Sequence, residues 1–274
     1  MIAPTAAQTA RTHVLLGTLS IIFLFPLAGM LLAALHADGS FVQGFSLPEE
    51  LHWRNLTAVW TDAGMSGLFS SSLIIAAGVV PLAMALATLA GYGLALLNPP
   101  GGLALRLILL LGLALPIEAI IVPLYYMLLD IGLTNTYTAV ILTEVALFLP
   151  FGSLWMMTNF QALPRELVES ARIDGARAMA ALTRVLLPLS WPSLATLAAL
   201  FFMWSWNQFL VVLVLIQDPD KRTVPSGLSS FIGEYTTNIP MLAAATLVAI
   251  MPVLIVYVAF QRTFVRGMLQ GAIQ

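Results

Sequence analysis

Side chains able to do chemistry are few in this sequence, and they fall in two settings. Glu118 and Glu144 interrupt otherwise apolar stretches, while a hydrophilic stretch from Leu163 to Arg177 gathers Arg165, Glu166, Glu169, Arg172, Asp174 and Arg177. Carboxylates inside apolar segments face a bundle interior or a wet cavity, where they can accept hydrogen bonds from the hydroxyls of a polyhydroxylated solute. Aromatic rings supply the flat apolar surface that such a solute also needs. Tyr125 and the cluster Trp204, Trp206, Asn207 and Gln208 are therefore candidates for a translocation path, together with the two carboxylates. Each has a plainer reading. A carboxylate can bond a neighbouring helix or a partner chain, Tyr125 can be core packing, and the tryptophans can belong to the aromatic belt of a membrane interface.

Catalytic chemistry is not expected in this chain. It contains no cysteine, which removes thiolate ligands, thiol nucleophiles and disulfides. His13, His36 and His52 lack metal-ligand spacing, and loop or interface positions are expected for them. The sole lysine is Lys221, and no Gly-rich phosphate loop precedes a Lys-Ser or Lys-Thr pair, so no nucleotide-binding site is expected within this chain.

The elements that carry these residues follow from composition. Of 274 residues, 60% are hydrophobic and 9% charged, with mean hydropathy +0.96. So few charges cannot cover a soluble globule of this size, and the chain belongs in a bilayer. A net charge of −2 leaves no basic surface for nucleic acid. A span needs about 20 apolar residues to cross a hydrocarbon layer of about 30 Å. Six runs qualify, from about His13 to Leu35, Leu68 to Leu97, Leu103 to Leu129, Tyr137 to Phe160, Val185 to Ile216 and Pro240 to Phe260. The first is too long for a signal-peptide core and reads as a retained span. Trp204 to Gln208 would then lie roughly 30 Å along the fifth run, at 1.5 Å per residue, near the outer interface.

With the N-terminus inside, the inner segments hold Arg11, Arg106, Arg165, Arg172, Arg177, Arg184, Arg262 and Arg266, against Arg54, Lys221 and Arg222 outside. Eight against three places both termini in the cytoplasm by the positive-inside rule. The expected division is 1–67 for an N-terminal segment, first span and outer loop, 68–262 for a membrane core that includes an inner loop at 163–188, and 263–274 for a cytoplasmic tail. Prolines and glycines inside the runs, among them Pro26, Pro81, Gly91, Pro116, Pro150, Pro188 and Pro252, suit broken helices around a path, although each singly is ordinary in membrane helices. No internal repeat is evident.

The inner loop has its own local logic. Pro164 can open a helix, and Glu166 and Glu169 favour its positive end. Glu169 with Arg172 and Asp174 with Arg177 have i,i+3 spacing, and Gly175 permits a left-handed stop, so helix, turn, helix is expected. An ordinary amphipathic connector between spans would look similar.

This stretch resembles the cytoplasmic signature of ABC importer permeases, Glu-Ala-Ala, three residues, Gly, nine residues, Ile, one residue, Leu-Pro. Here it reads Glu169-Ser170-Ala171, Gly175, Val185, Leu187-Pro188. Val122-Pro123-Leu124-Tyr125, Gly132-Leu133-Thr134-Asn135-Thr136, Leu149-Pro150-Phe151, Ala171-Arg172-Ile173-Asp174-Gly175 and Trp206-Asn207-Gln208-Phe209 extend the likeness to the carbohydrate-uptake branch, specifically to the smaller maltose-type permease. Gln208 replaces the usual glutamate and Gln274 a usual terminal lysine. The resemblance covers roughly 68 to 274. It implies an all-α, six-span permease of the type I importer fold in a bacterial or archaeal inner membrane. It further implies pairing with a second, homologous permease, two ATP-binding subunits and an extracytoplasmic solute-binding protein. The coupling role falls on Glu169, Ala171, Arg172, Asp174 and Gly175, and the solute would be a sugar, with polyols or glycerol phosphodiesters as the alternative. An ion-coupled secondary transporter would dispense with such a loop, and a membrane enzyme would need a catalytic cluster that is not visible.

Overall fold

A computed structural model describes residues 6–61, 64–97, 99–232 and 237–272, with the side chains of Ala6, Ala7, Arg172, Ser230 and 263–272 outside the description. Helices run in the order α1 (Ala6–Ala34), α2 (Arg54–Thr61), α3 (Met65–Tyr92), α4 (Gly102–Ala114), α5 (Ile117–Asp130), α6 (Tyr137–Gln161), α7 (Arg165–Ile173), α8 (Ala178–Ala181), α9 (Leu187–Leu189), α10 (Trp191–Trp206), α11 (Leu210–Leu215), α12 (Val224–Gly227) and α13 (Ile239–Ala272). A π-helical turn, Gly93–Leu97, extends α3, and a second, Leu182–Leu186, joins α8 to α9. Among the described residues, the one pairing of extended backbone is a bridge between Ile232 and Thr237. The expected all-α class holds.

Four helical stretches are long and apolar enough to cross a membrane, Gln8–Ala34, Met65–Leu97, Tyr137–Gln161 and Ile239–Arg262. The other two expected spans are bent. Gly102–Ala114 meets Ile117–Asp130 at 100°, and Ala178–Leu189 meets Trp191–Trp206 at 82°. The count of six holds if each bent pair is one span, and the breaks fall beside prolines of the third and fifth runs, Pro116 in one and Pro192 in the other. At the first break Leu115 is extended, with φ −77° and ψ 116°, because the ring of the following Pro116 crowds a helical conformation. At the second, Asn159 Nδ2 donates to Ser190 Oγ at 2.7 Å and Trp155 Nε1 to the Ser193 carbonyl at 3.3 Å, which pins the corner to α6.

The chain divides into two compact units, one from Met1–Ser66 with Leu228–Met251, the other from Gly67–Gly227 with Pro252–Gln274. In the first, Asn55 closes the end of α1, its Nδ2 donating to the carbonyls of Ala34 and His36 at 2.8 Å each. Phe45 stacks on Phe25 with ring centroids 4.3 Å apart. His36 turns its ring to the Leu32 carbonyl and Ser46 Oγ, a structural loop position as its sequence context suggests.

In the second unit α6 is the axis. Its buried residues Val140, Glu144, Phe148, Ser153, Met156 and Phe160 recur at helical spacing and form one inward face. Small residues let neighbours approach this axis closely. A Cβ on Gly91 would lie 2.7 Å from the backbone nitrogen of Met157, and one on Gly152 would lie 2.7 Å from both Ala87 Cβ and Phe201 Cζ. At one end, Thr136 caps α6 by accepting the Ala139 N–H.

Candidate functional site

The loop after α6 forms the expected short helix. Pro164 stands just before α7, Leu167 N–H donates to the Pro164 carbonyl, and Glu166 lies in the first turn. Gly175 then adopts φ +82° while the Ala176 N–H bonds the Ala171 carbonyl at 2.9 Å. That bond, reaching back five residues over a left-handed glycine, is the Schellman stop. Val168 and Ala171 are buried and hold α7 down. Ala171, Asp174 and Gly175 line one cleft of about 550 Å³ with Ser170, Arg177 and Arg184. Glu169 is exposed on α7 and does not line this cleft, and the Arg172 side chain lies outside the described residues.

One expectation about the loop needs revision. Asp174 and Arg177 form no ion pair among the described residues, where the one salt bridge joins Lys221 to Asp218. The i,i+3 rule requires continuous helix, and the left-handed Gly175 followed by Arg177 at φ −69° and ψ 161° breaks it. Ile173 stands within the matched run from Ala171 to Gly175 and was assigned no coupling role. It ends α7 with 86% of its surface exposed, although its position, 200° round the helix from the buried Ala171 at 100° per residue, already set it apart from the apolar face.

The membrane carboxylates differ from each other. Glu118 is exposed in the first turn of α5, just past the Pro116 break, where free backbone N–H groups favour a negative charge. Glu144 is completely buried, with both carboxylate oxygens lacking a hydrogen-bond partner. Ser205 of α10 is its polar neighbour, yet Ser205 Oγ also has no bond that meets hydrogen-bond geometry. In this conformation Glu144 therefore faces the interior of its own unit.

At the other end of the bundle, the remaining candidates are tied into local structure. Tyr125 Oη accepts from Gln217 Nε2 at 2.9 Å. Trp204 packs edge-on to Phe151 and Phe148, with centroids 5.0 and 5.5 Å away, and remains 37% exposed. Asn207 ends α10 by donating its Nδ2 to the Met203 carbonyl at 2.7 Å, and Gln208 Oε1 approaches the Val211 N–H at 3.5 Å ahead of α11. Because α10 begins only after the 82° corner, its 16 residues span roughly 24 Å, and the uninterrupted 30 Å rise expected from Val185 does not exist. The path residues thus do not converge on one pocket with the coupling residues. No group of His, Cys, Asp or Glu able to hold a metal occurs among the described residues.

Residues 80–270 match the family of binding-protein-dependent transport system inner membrane components. The chain is 35% identical over 265 residues to the diacetylchitobiose uptake system permease protein NgcG of Streptomyces coelicolor, covering 96% of this chain and 88% of that one. It is 33% identical over 261 residues to the arabinooligosaccharides transport system permease protein AraQ of Halalkalibacterium halodurans, covering 93% of each. Its fold matches a crystal structure of a bacterial ABC transporter involved in the import of the acidic polysaccharide alginate, at TM-score 0.79 and 19% identity, over 96% of this chain and 99% of that one.

Proposed function

Because this chain belongs to the family of binding-protein-dependent transport system inner membrane components, we propose that it is one permease half of an ATP-driven importer of sugars or oligosaccharides. The chain is a multi-pass transport subunit. The sugar class rests on the permeases it resembles, which are named for diacetylchitobiose and arabinooligosaccharides. A second permease would complete the translocation path, two ATP-binding subunits would hold ATP and magnesium, and a solute-binding protein would deliver the cargo. This chain needs no ATPase site of its own.

The observation that carries the reading is α7, a nine-residue amphipathic helix ended by the left-handed Gly175 and bearing an exposed Ile173. A short, rigid helix with an apolar tip suits a groove on an ATP-binding subunit. With both termini cytoplasmic, closure of the ATP-binding pair would push on Glu169, Ala171, Arg172, Asp174, Gly175 and Ile173. That push would favour one of two access states. Glu118, Tyr125, Trp204, Asn207 and Gln208 are the candidates for the path, whereas Glu144 could join only if α6 and α10 part in another state.

The experiment is to purify the intact complex and measure ATP hydrolysis with the binding protein and a panel of sugars. Stimulation by an oligosaccharide supports the reading. Solute uptake into vesicles that needs an ion gradient and no ATP would replace it with a secondary transporter.

A further inference from the structure

We propose that a cavity beside the turn joining α3 to α4 holds an acyl chain of an anionic phospholipid, with Arg106 at its rim binding the headgroup phosphate. The cavity measures about 280 Å³ and is lined by Ala90, Gly93, Leu94, Leu105, Ile108 and Leu109, with Pro99 closing one side. That volume lies just below the roughly 300 Å³ at which small-molecule pockets begin, so it suits a segment of chain better than a whole compact solute. Every lining side chain is apolar, and the cavity offers a polar solute no hydrogen-bonding side chain.

Two local features form it. The π-helical turn Gly93–Leu97 widens the end of α3, and Gly93 has nothing within 4 Å of where a Cβ would stand. Leu105, Ile108 and Leu109 follow the i, i+3, i+4 spacing of one face of α4, and Leu105 and Ile108 are 47% and 61% exposed. Apolar surface of this kind at membrane depth faces lipid unless another protein covers it.

Charge decides the lipid. Arg106 is the only charged residue between Asp62 and Glu118. Its Nη2 donates to the Leu94 carbonyl at 2.8 Å, which ties the guanidinium to a residue that lines the cavity, and Arg106 follows the lining residue Leu105 in sequence. Its Nε is buried without a partner, and no carboxylate pairs with Arg106 among the described residues. A guanidinium has five N–H donors in a planar fork that matches phosphate. An uncompensated arginine above an apolar slot thus complements a negatively charged headgroup carrying a hydrocarbon tail. The inner-leaflet assignment rests on the orientation proposed above, and anionic lipids are concentrated on that side.

The test uses the assembled complex in nanodiscs made of equal parts phosphatidylglycerol and phosphatidylcholine, with lipid retained after detergent extraction counted by native mass spectrometry. Wild type should keep phosphatidylglycerol in preference to phosphatidylcholine. Arg106→Gln should lower that retention about fivefold, the effect of one basic residue near an anionic surface, while Arg106→Lys should keep most of it. Ile108→Trp, which fills the slot and leaves the arginine in place, should displace the lipid equally. Equal retention of the two lipids by wild type, or unchanged retention in both Arg106→Gln and Ile108→Trp, overturns the proposal. So does disulfide capture of Ile108→Cys by the partner permease, since that chain would then occupy the slot. Lipid counting needs no transport, so it gives its answer even if sugar-stimulated ATP hydrolysis fails to appear.

Discussion

Asn135 holds Gln217 across 82 residues of sequence, its side-chain oxygen accepting the Gln217 N–H at 3.2 Å and the Asp218 N–H at 3.0 Å. Asn135 sits at φ +59°, a left-handed conformation that asparagine tolerates better than most residues. Its own N–H donates to the Leu215 carbonyl, Lys221 Nζ donates to its carbonyl, and Gln217 reaches on to Tyr125. One turn residue therefore fixes the segment that follows α11 against the end of α5, which is how Tyr125 comes to be held in place.

Removing that side chain should loosen the segment. Asn135→Ala loses two accepted hydrogen bonds, each contributing about 1 kcal/mol, and leaves a Cβ residue in a left-handed turn. The expected result is a melting temperature several degrees lower for the purified complex, with faster amide exchange at 215–221. Asn135→Asp keeps both acceptors and should lie close to wild type. Equal melting of Asn135→Ala and wild type would show that this junction bears no stability.

Close helix contact gives a second test. A Cβ at Gly91 would lie 2.7 Å from one backbone atom and 2.9 Å from another on α6, and backbone yields less readily than a side-chain tip. Gly91→Val should cost about 1–3 kcal/mol, the usual range for overpacking, and reduce membrane content. Gly93→Val meets open space at its Cβ and should insert and assemble as wild type. Equal membrane content for the two variants would contradict the packing of α3 on α6.

The two carboxylates should separate in transport assays. Glu118→Gln is expected to change the concentration dependence of sugar uptake while assembly and basal ATP hydrolysis stay near wild type, because the side chain is exposed and makes no hydrogen bond among the described residues. Glu144→Leu removes a buried group that lacks a bonding partner, so assembly should persist at wild-type thermal stability or above it. Loss of assembly in Glu144→Leu would mean that the carboxyl finds a partner in the complex.

Orientation is open to direct measurement. The eight-to-three basic asymmetry predicts that cysteines placed at Ala37 and Asp220 react with impermeant thiol reagents from outside and that one at Ala178 does not. All three positions are exposed, and the chain has no cysteine of its own. Ser226, at first sight an outer-loop reporter, is fully buried and would stay silent for the wrong reason. Labelling of Ala178→Cys alone from outside would invert the topology and remove α7 from the cytoplasm.

Much of this architecture was legible in the sequence, because partition into a bilayer depends on composition that hydropathy counts directly. Direction is another matter. The apolar run from Leu103 to Leu129 does not say that it turns through 100°, although Leu115 before Pro116 carried the steric signal. The Ser190 corner depended on Asn159 and Trp155, more than 30 residues away, and no local pattern encodes such a partner. In the loop, Gly175 was readable because so few residues accept φ +82°, whereas the Asp174–Arg177 pair failed because its spacing presumed a helix that Gly175 itself ends. The family resemblance gave coupling roles to Glu169, Ala171, Arg172, Asp174 and Gly175 and none to Ile173, whose exposure depends on which face of α7 is buried.

The sharpest prediction concerns the junction of Ile173 and Gly175. Nothing lies within 4 Å of a Cβ at Gly175, so within this chain the first cost of a substitution there is backbone strain and not a clash at Cβ. Asparagine visits left-handed conformations readily, while a β-branched residue at φ +82° is strained by about 1–2 kcal/mol. Gly175→Asn should therefore preserve coupling and Gly175→Val should impair it, although both add bulk at one site. If α7 docks through its tip, Ile173→Ala should weaken co-purification of the ATP-binding subunits by removing apolar surface, at about 25 cal/mol for each Å² withdrawn from water. Ile173 is 86% exposed in this chain, so the same change should leave folding and membrane content intact. The measurement compares all three variants for membrane content, subunit co-purification and sugar-stimulated ATP hydrolysis. Should Ile173→Ala and Gly175→Val both retain full association and stimulation, α7 is an ordinary connector and the importer must couple elsewhere. Should Gly175→Asn fail as badly as Gly175→Val, the cleft beside α7 is filled by a partner in the assembled complex, and side-chain volume, not the left-handed turn, is what position 175 excludes.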